Sequence, residues 1–454
     1  MTVHLAPGPN ARLSFRLVTA NRPESVIRNP DFVRLWAAET ISQFGTQISL
    51  LALPLVAISL LNASAFEVAA LATIEFLPFI LFSLPAGAWV DRLRRRPILI
   101  AGDLGRAAAL ATVPIAYAVG ALSIWQLYVV GFVAGTLTVF FDVAYQSYLP
   151  SIVDRDQLVD GNGKLETSRT IAQTAGPAMG GGLIGLITAP LAILADAVSF
   201  VVSAVFLFAI RRHEPTPDRH ADEHGRVRGD LRQEVADGLR YVLGNEYLRG
   251  IAASTATFNL FSNVAFATFL VFAVRELGLS PTEIGIVFGL GNFGAIIGAL
   301  SADRLSRRFG VGRTIVGSVV LEGPGIMLVA IAPADFPVPF LVASGFLIGF
   351  GAVVYNINQV SFRQAITPTA MQGRMNATMR FIVWGTIPIG SILGGTIATL
   401  VGLREAIWVG AIGAFLAIIP LLVTPVRTLR EMPTPAEDPE DPAAGVDGEV
   451  EPSS

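Results

Sequence analysis

Apolar residues run through this chain in long blocks, separated by short polar connections at nearly regular intervals. A helix that crosses a bilayer needs about 20 mostly apolar residues, and residues 36–61, 189–210, 337–360 and 406–426 each reach that length. Residues 107–141 carry no charged side chain and break only at Gly120-Ala121-Leu122-Ser123, so they divide into two crossings. Along the whole chain the pattern predicts twelve spans, near 33–61, 66–90, 97–119, 123–148, 164–187, 189–210, 248–274, 283–303, 313–332, 338–361, 378–401 and 405–425. A soluble fold could not bury them all, because nothing would remain for its surface. The expected fold class is an all-α polytopic membrane protein.

Charge then orients the spans. Of 32 basic residues, only Arg275 and Arg404 fall in odd-numbered connections, whereas the even-numbered ones hold Arg92 to Arg96, Arg155, the run from Arg211 to Arg240, Arg304 to Arg308, and Arg363 with Arg374. The positive-inside rule places both termini and the even connections in the cytoplasm, with the chain in the plasma or inner membrane. The connection 211–247 separates six spans from six. Five segments follow: a basic arm (1–32), a first six-helix bundle (33–210), a linker (211–247), a second bundle (248–425) and a Pro-rich acidic tail (426–454) expected to be disordered. Within the linker, Leu231, Val235, Leu239 and Val242 share one face of a predicted short helix, which suits either the membrane surface or a solvated connection.

The two bundles repeat. Gly87-Ala-Trp-Val-Asp91-Arg92-Leu-Arg-Arg95-Arg96 follows span two, and Ala299-Leu-Ser-Ala-Asp303-Arg304-Leu-Ser-Arg307-Arg308 follows span eight, an offset of 212. Arg169 and Pro177 in span five meet Arg380 and Pro388 in span eleven at an offset of 211. Duplicated halves suit a carrier that rocks about a central site. The Gly-x-x-x-Asp-Arg-x-x-Arg-Arg element resembles the loop 2–3 motif of the major facilitator superfamily, with Arg94 in place of its second glycine and Ala299 in place of the first in the repeat. Asn29-Pro30-Asp31-Phe32, Tyr148-Leu149-Pro150, Gly176-Pro177-Ala-Met-Gly180-Gly181 and Asp196-Ala-Val-Ser199-Phe200 resemble the drug/proton antiporter branch, with its macrolide-efflux and enterobactin-exporter relatives.

That resemblance implies two six-helix bundles around a cavity lined by spans one, four, seven and ten. It also implies that Asp91 latches the cytoplasmic side against the positive end of span eleven, with Gly87, Arg92, Arg95, Asp303 and Arg304 around the two copies of the latch. Gly176, Pro177, Gly180 and Gly181 are expected to pack closely against the glycines of span eight (Gly289, Gly291, Gly294, Gly298) and to gate the outer side.

Polar residues inside spans carry the candidate chemistry. Glu39, Gln43 and Gln47 are four apart on span one and share a face, as do Asn259 and Asn263 on span seven. Asp142, Tyr145 and Gln146 lie near the inner end of span four, and Tyr355, Asn356, Asn358 and Gln359 crowd span ten. These are the expected solute contacts, with hydrogen bonding inside each half as the competing role. Proton coupling needs a carboxylate in the membrane layer. Glu39 and Asp142 are the first candidates, against a static network with Arg169 and Glu166. Glu75 is the third, unless a buried pair with Arg106 holds it ionised. Asp103 with Arg106, Asp196 and Glu322 lie on spans three, six and nine, which are peripheral in the superfamily and are discounted.

Composition excludes more than it proposes. With no cysteine there is no disulfide or thiolate site, and the four histidines all fall in tails or loops, so neither a metal site nor a cofactor is expected. No Gly-x-x-x-x-Gly-Lys phosphate loop is present and Lys164 is the only lysine, which argues against an enzyme or an ATP-driven pump. The expected activity is export of small amphipathic organic compounds in exchange for protons, by a monomer with no nucleic-acid partner. Scarce cavity arginines favour cationic or neutral solutes. The alternatives are a dedicated siderophore or metabolite exporter, a nutrient importer, and a non-transporting receptor or assembly factor on a carrier scaffold.

Overall fold

The structure is a computed structural model and describes residues 25–90, 93–154, 157–212, 214 and 231–430. The basic arm before residue 25, the latch residues Asp91 and Arg92, most of 211–230 and the tail from 431 lie outside the described residues. Every regular element among the described residues is helical. The first half contains α1 (Pro30–Ser59), α2 (Ala65–Val90), α3 (Arg95–Ala118), α4 (Ile124–Ile152), α5 (Leu158–Ile187) and α6 (Ala189–Phe208). After α7 (Leu231–Gly244) come α8 (Glu246–Arg275), α9 (Pro281–Gly291), α10 (Phe293–Phe309), α11 (Val311–Ala330), α12 (Val338–Ile366), α13 (Thr369–Leu400), α14 (Leu403–Leu416) and α15 (Ile418–Val423). Spans eight and twelve are thus each broken once, at Asn292 and Ala417.

Local signals set the helix ends. The Asn29 side chain accepts from the Asp31 and Phe32 N–H groups ahead of Pro30, and Ser280 with Glu283 forms a capping box at α9. Gly310 enters α11 at φ +88°, a conformation that favours glycine. Eleven helical stretches are long and apolar enough to cross a membrane. The twelfth crossing, α5, spans 30 residues but is less apolar, since Asp160, Lys164, Glu166 and Arg169 crowd its first half and Gly, Thr and Gln its second.

Packing repeats as the sequence does. In the first half α1 packs on α5 and α6, α3 on α4 and α6, and α2 on α4; in the second, α8 packs on α13 and α14, α11 on α12 and α14, and α10 on α12. Each pair maps onto its counterpart by the half-chain offset. The main contacts between halves, α5 with α9 and α2 with α13, also exchange under this symmetry.

The two ends of the molecule differ. At the face away from the arginine-rich connections, one continuous apolar cluster joins both halves, from Leu51 and Leu71 to Phe269 and Ala406. Arg275 seals that face by donating to the Ala63 carbonyl at 2.6 Å. At the arginine-rich face the apolar core divides into two clusters, one around Phe32 and Tyr148 and the other around Leu248 and Phe362. The halves close on each other at one end and part at the other.

Of the four apolar positions of α7, Leu239 and Val242 are described, and they do not share one surface. Gly238 fits against the Arg374 carbonyl and Thr378 of α13, Val242 is buried in the second-half core, and Leu239 is exposed. It docks on α13 as well as lying at the surface.

Candidate functional site

The wall of the opening formed by the first half holds a buried cluster of charge. Glu39 on α1 is 6% exposed; Gln43, one turn on, donates to its Oε1 at 2.7 Å, and its Oε2 has no partner. Asp142 and Arg106 lie close enough to act on Glu39 electrostatically. Arg106 on α3 is clamped between the rings of Phe141 on α4 and Phe200 on α6, with its guanidinium carbon 4.3 and 4.2 Å from their centroids. It donates to Asp103 at 2.5 Å and to Thr138 at 3.5 Å, while its Nε stays unpartnered. Asp196 on α6 accepts from Ser49 of α1 and, at 3.0 Å, from Ser199. Of the four carboxylates around Arg106, only Asp103 bonds it; Glu39, Asp142 and Asp196 feel its charge at longer range.

This arrangement revises three expectations. Glu75 does not pair with Arg106, which is committed to Asp103; it packs half-buried against Gly131 of α4, and no basic partner holds it among the described residues. Arg169 and Glu166 form no tight network with Glu39, being exposed and 3.9 Å apart. Asp103, Arg106 and Asp196 are central rather than peripheral, because α3 and α6 turn these side chains back toward α1 and α4. Their i, i+3 spacing was visible in the sequence, but nothing in it specified the direction they face.

The other expected contacts divide. Gln47 lays its aliphatic stem against Gly176. Asn259 and Asn263 donate to the Thr255 and Asn259 carbonyls of their own helix at 2.9 and 2.7 Å, which leaves their oxygens as acceptors. Asn356 is exposed and accepts from Gln359 at 3.0 Å. Tyr355 and Asn358 turn inward instead: Tyr355 meets Thr255 Oγ1 at 2.6 Å, and Asn358 is buried and bonds the Val354 carbonyl. Tyr355 thus ties α12 to α8, and Asn358 is bonded within α12. Tyr145 stacks on Phe141 at the edge of the charge cluster.

Within the second half lies a cavity of about 350 Å³, between α8, α9, α11, α12 and α14. Phe258, Phe266, Phe269 and Phe288 line it, and Asn263 and Asn292 supply polar groups. The Asn292 amide also donates to the Gln173 carbonyl of α5 at 3.0 Å, so the cavity adjoins the seam between the halves.

The glycine motif is split between partners. Gly181 and Gly185 face Pro281, Thr282 and Gly285 of α9, and Gly289 faces Ala178, whereas Gly176 and Gly180 pack on α1. Gly291, Gly294 and Gly298 instead face Gly345, Phe346 and Phe350 of α12, because their i, i+3, i+7 spacing puts them on a different side of the helix from Gly285, Gly289 and Asn292, which face α5. The Pro177 carbonyl lies against Gly285. At the arginine-rich face, Gly87 lies in the last turn of α2. Arg95 and Arg96 donate their backbone N–H groups to the buried carboxylate of Glu214, which caps α3. Asp303 is exposed and pairs with Arg307 of its own helix, and Arg304 is exposed, so this copy of the motif makes no latch between halves.

Comparison with known proteins agrees with this geometry. Residues 23–453 match the transmembrane secretion effector family. The multidrug efflux pump Tap of Mycolicibacterium fortuitum is 27% identical over 390 residues, covering 83% of this chain and 91% of that one. Macrolide efflux protein A of Streptococcus pyogenes is 23% identical, covering 88% and 97%. Among solved structures, a bacterial homologue of the iron transporter ferroportin in an inward-facing state superposes with a TM-score of 0.68 at 18% identity, covering 88% of this chain and 99% of that one. An outward-facing structure of such a homologue scores 0.54, covering 86% and 98%. The chain is a multi-pass membrane transporter rather than an enzyme, and it belongs to the transmembrane secretion effector family of the major facilitator superfamily.

Proposed function

We propose that the protein exports small amphipathic organic compounds by proton antiport, working by alternating access as a monomer. The observation that carries this reading is the asymmetry of the two ends: a continuous apolar seal at one face and two separate cores at the other. By the positive-inside rule the open, arginine-rich face is cytoplasmic. Both termini then lie in the cytoplasm of a cell bounded by this plasma or inner membrane, and a solute enters from inside. Relatives named as multidrug and macrolide efflux pumps, aligned along most of both lengths, support the direction and the broad solute class. The higher score against the inward-facing neighbour supports the conformational assignment.

The two walls have different tasks. The phenylalanine-lined cavity in the second half takes the apolar part of a solute, while the asparagines of α8 and Asn292 orient it. The first half carries four carboxylates around one guanidinium, the composition a proton-exchanging cluster needs, with Glu39 and Asp142 as its exchanging members and Glu75 as a separate unpaired acid. Proton entry supplies about 2.3 kcal/mol per charge per 100 mV. Loading from the cytoplasm, closure there, and parting of α5 from α9 and of α2 from α13 release the solute outside, through the seam that Gly181 and Gly185 line.

Reconstituted protein tests the reading. Glu39→Gln and Asp142→Asn should each abolish accumulation of a fluorescent amphiphile driven by a pH gradient while leaving solute counterflow intact. Undiminished pH-driven accumulation in both variants refutes the coupling assignment, and a wild-type protein that moves no amphiphile refutes export.

A further inference from the structure

We infer that Arg169 and Arg380 form a paired site for an anionic group on the exported solute, so that the preferred solutes are amphiphiles bearing a carboxylate, phosphate or comparable anion. The inference deepens the exporter reading and rests on it. The two arginines occupy equivalent places: 169 − 158 and 380 − 369 both give 11 residues from the start of their helices, α5 and α13. At 1.5 Å per residue each sits about 16 Å along its helix.

Exposed residues separate a lipid stripe from the stripe carrying each arginine. On α13, Phe381, Ile389, Leu393 and Leu400 form the exposed apolar stripe. Arg380 is one residue, about 100°, away from it. It shares its stripe with Trp384, whose ring meets Phe76 of α2 edge-on at 6.0 Å. That stripe therefore faces the other half. On α5 the lipid stripe is Ile171, Met179 and Leu186, while Arg169 lies one turn before Gln173, the residue that accepts from Asn292 of the other half. Both arginine side chains are exposed and lie off the lipid stripe of their helix, Arg380 toward α2 of the other half and Arg169 on the α1 side of α5.

Neither arginine is fully neutralised. Arg380 makes no ion pair among the described residues; its guanidinium carbon rests 4.9 Å from the Trp384 ring centroid. Arg169 has only the exposed Glu166 at 3.9 Å, with Asp142 acting on it from α4. A guanidinium in the membrane layer without a carboxylate is costly, and its fork of donors suits a planar or tetrahedral oxyanion. Trp384 beside it offers a face for a ring attached to that anion. This departs from the expectation that scarce cavity arginines favour cationic or neutral solutes.

The same chemistry would hold a lipid phosphate, so the test separates the two. Binding of 11-(dansylamino)undecanoate and of its methyl ester is measured by dansyl fluorescence on purified full-length protein in a neutral detergent. The acid should bind about tenfold more tightly than the ester, a difference of about 1.4 kcal/mol. Arg380→Gln and Arg169→Gln should each bring the ratio near one, Arg380→Lys should retain part of it, and Arg307→Gln, on the exposed face, should leave it unchanged. Monodisperse elution and an unaltered melting temperature establish that the variants fold. Equal affinities for acid and ester in the wild type, or an unchanged ratio in both Gln variants, overturn the anion site alone. Failure of both probes to bind overturns the exporter reading with it. Displacement of the acid by phosphatidylglycerol but not by phosphatidylcholine in nanodiscs reassigns the pair to lipid headgroups and overturns the solute assignment.

Discussion

Adding one methyl group at Gly181 should be enough to move the carrier between its two states. A Cβ there would lie 2.7 Å from Gly285 Cα and 2.9 Å from Gly285 N, and would also strike the Pro281 carbonyl oxygen. Each of these is backbone of α9, so no side chain can swing aside. Carbon contacts settle at roughly 3.5–4.0 Å, and α5 and α9 must therefore part by about 1 Å. Overpacking of this kind costs about 1–3 kcal/mol. The cost falls only on the state in which these helices touch. An equilibrium biased by that amount shifts by roughly 5- to 150-fold. Because the chain has no native cysteine, spin labels can be placed without background. Ala121→Cys and Asp335→Cys put exposed labels on opposite halves at the sealed face. In Gly181→Ala the distance distribution between these labels should gain a longer component. Gly182→Ala, next along the same helix with open space where its Cβ would sit, should leave the distribution unchanged. Identical distributions in Gly181→Ala and wild type would refute the claim that this contact holds the sealed state.

Two further perturbations probe the same energetics. Arg275→Ala removes the charged hydrogen bond to the Ala63 carbonyl, and with it about 1.5–3 kcal/mol from the sealed state; the same label pair should lengthen, and no change would assign the bond no part in sealing. Asp103→Asn leaves the Arg106 guanidinium buried between two rings without its carboxylate, which should cost about 3–5 kcal/mol and lower the melting temperature in detergent. Asp103→Leu combined with Arg106→Met should recover most of that loss while removing the shared counter-ion of the carboxylate cluster. A melting temperature for Asp103→Asn equal to wild type would show that the pair is not balanced by its own partners.

Much of this protein was legible before any coordinates. The period and length of the apolar blocks dictate helices that span, because unpaired backbone groups cannot be left in hydrocarbon. The offsets linking Asp91 to Asp303 and Arg169 to Arg380 disclosed the internal repeat, and the packing of α1 through α6 is repeated in α8 through α14. The rotation of each helix about its own axis was not legible. In a span apolar on nearly all sides, hydrophobic pattern does not distinguish a lipid face from a protein face, so the sequence left the direction of Arg106, Asp196, Tyr355 and Asn358 open. Only close packing, much of it through glycines that let particular backbones meet, turned the first two into the charge cluster and the last two into the second-half core. The split of the glycine motif has the same origin: spacing puts Gly285 and Gly289 on one side of the helix and Gly291, Gly294 and Gly298 on another, but only packing decided that the first side meets α5 and the second α12. Which end is sealed is likewise a tertiary property, since it depends on how two nearly equivalent halves meet and not on the residues of either half alone.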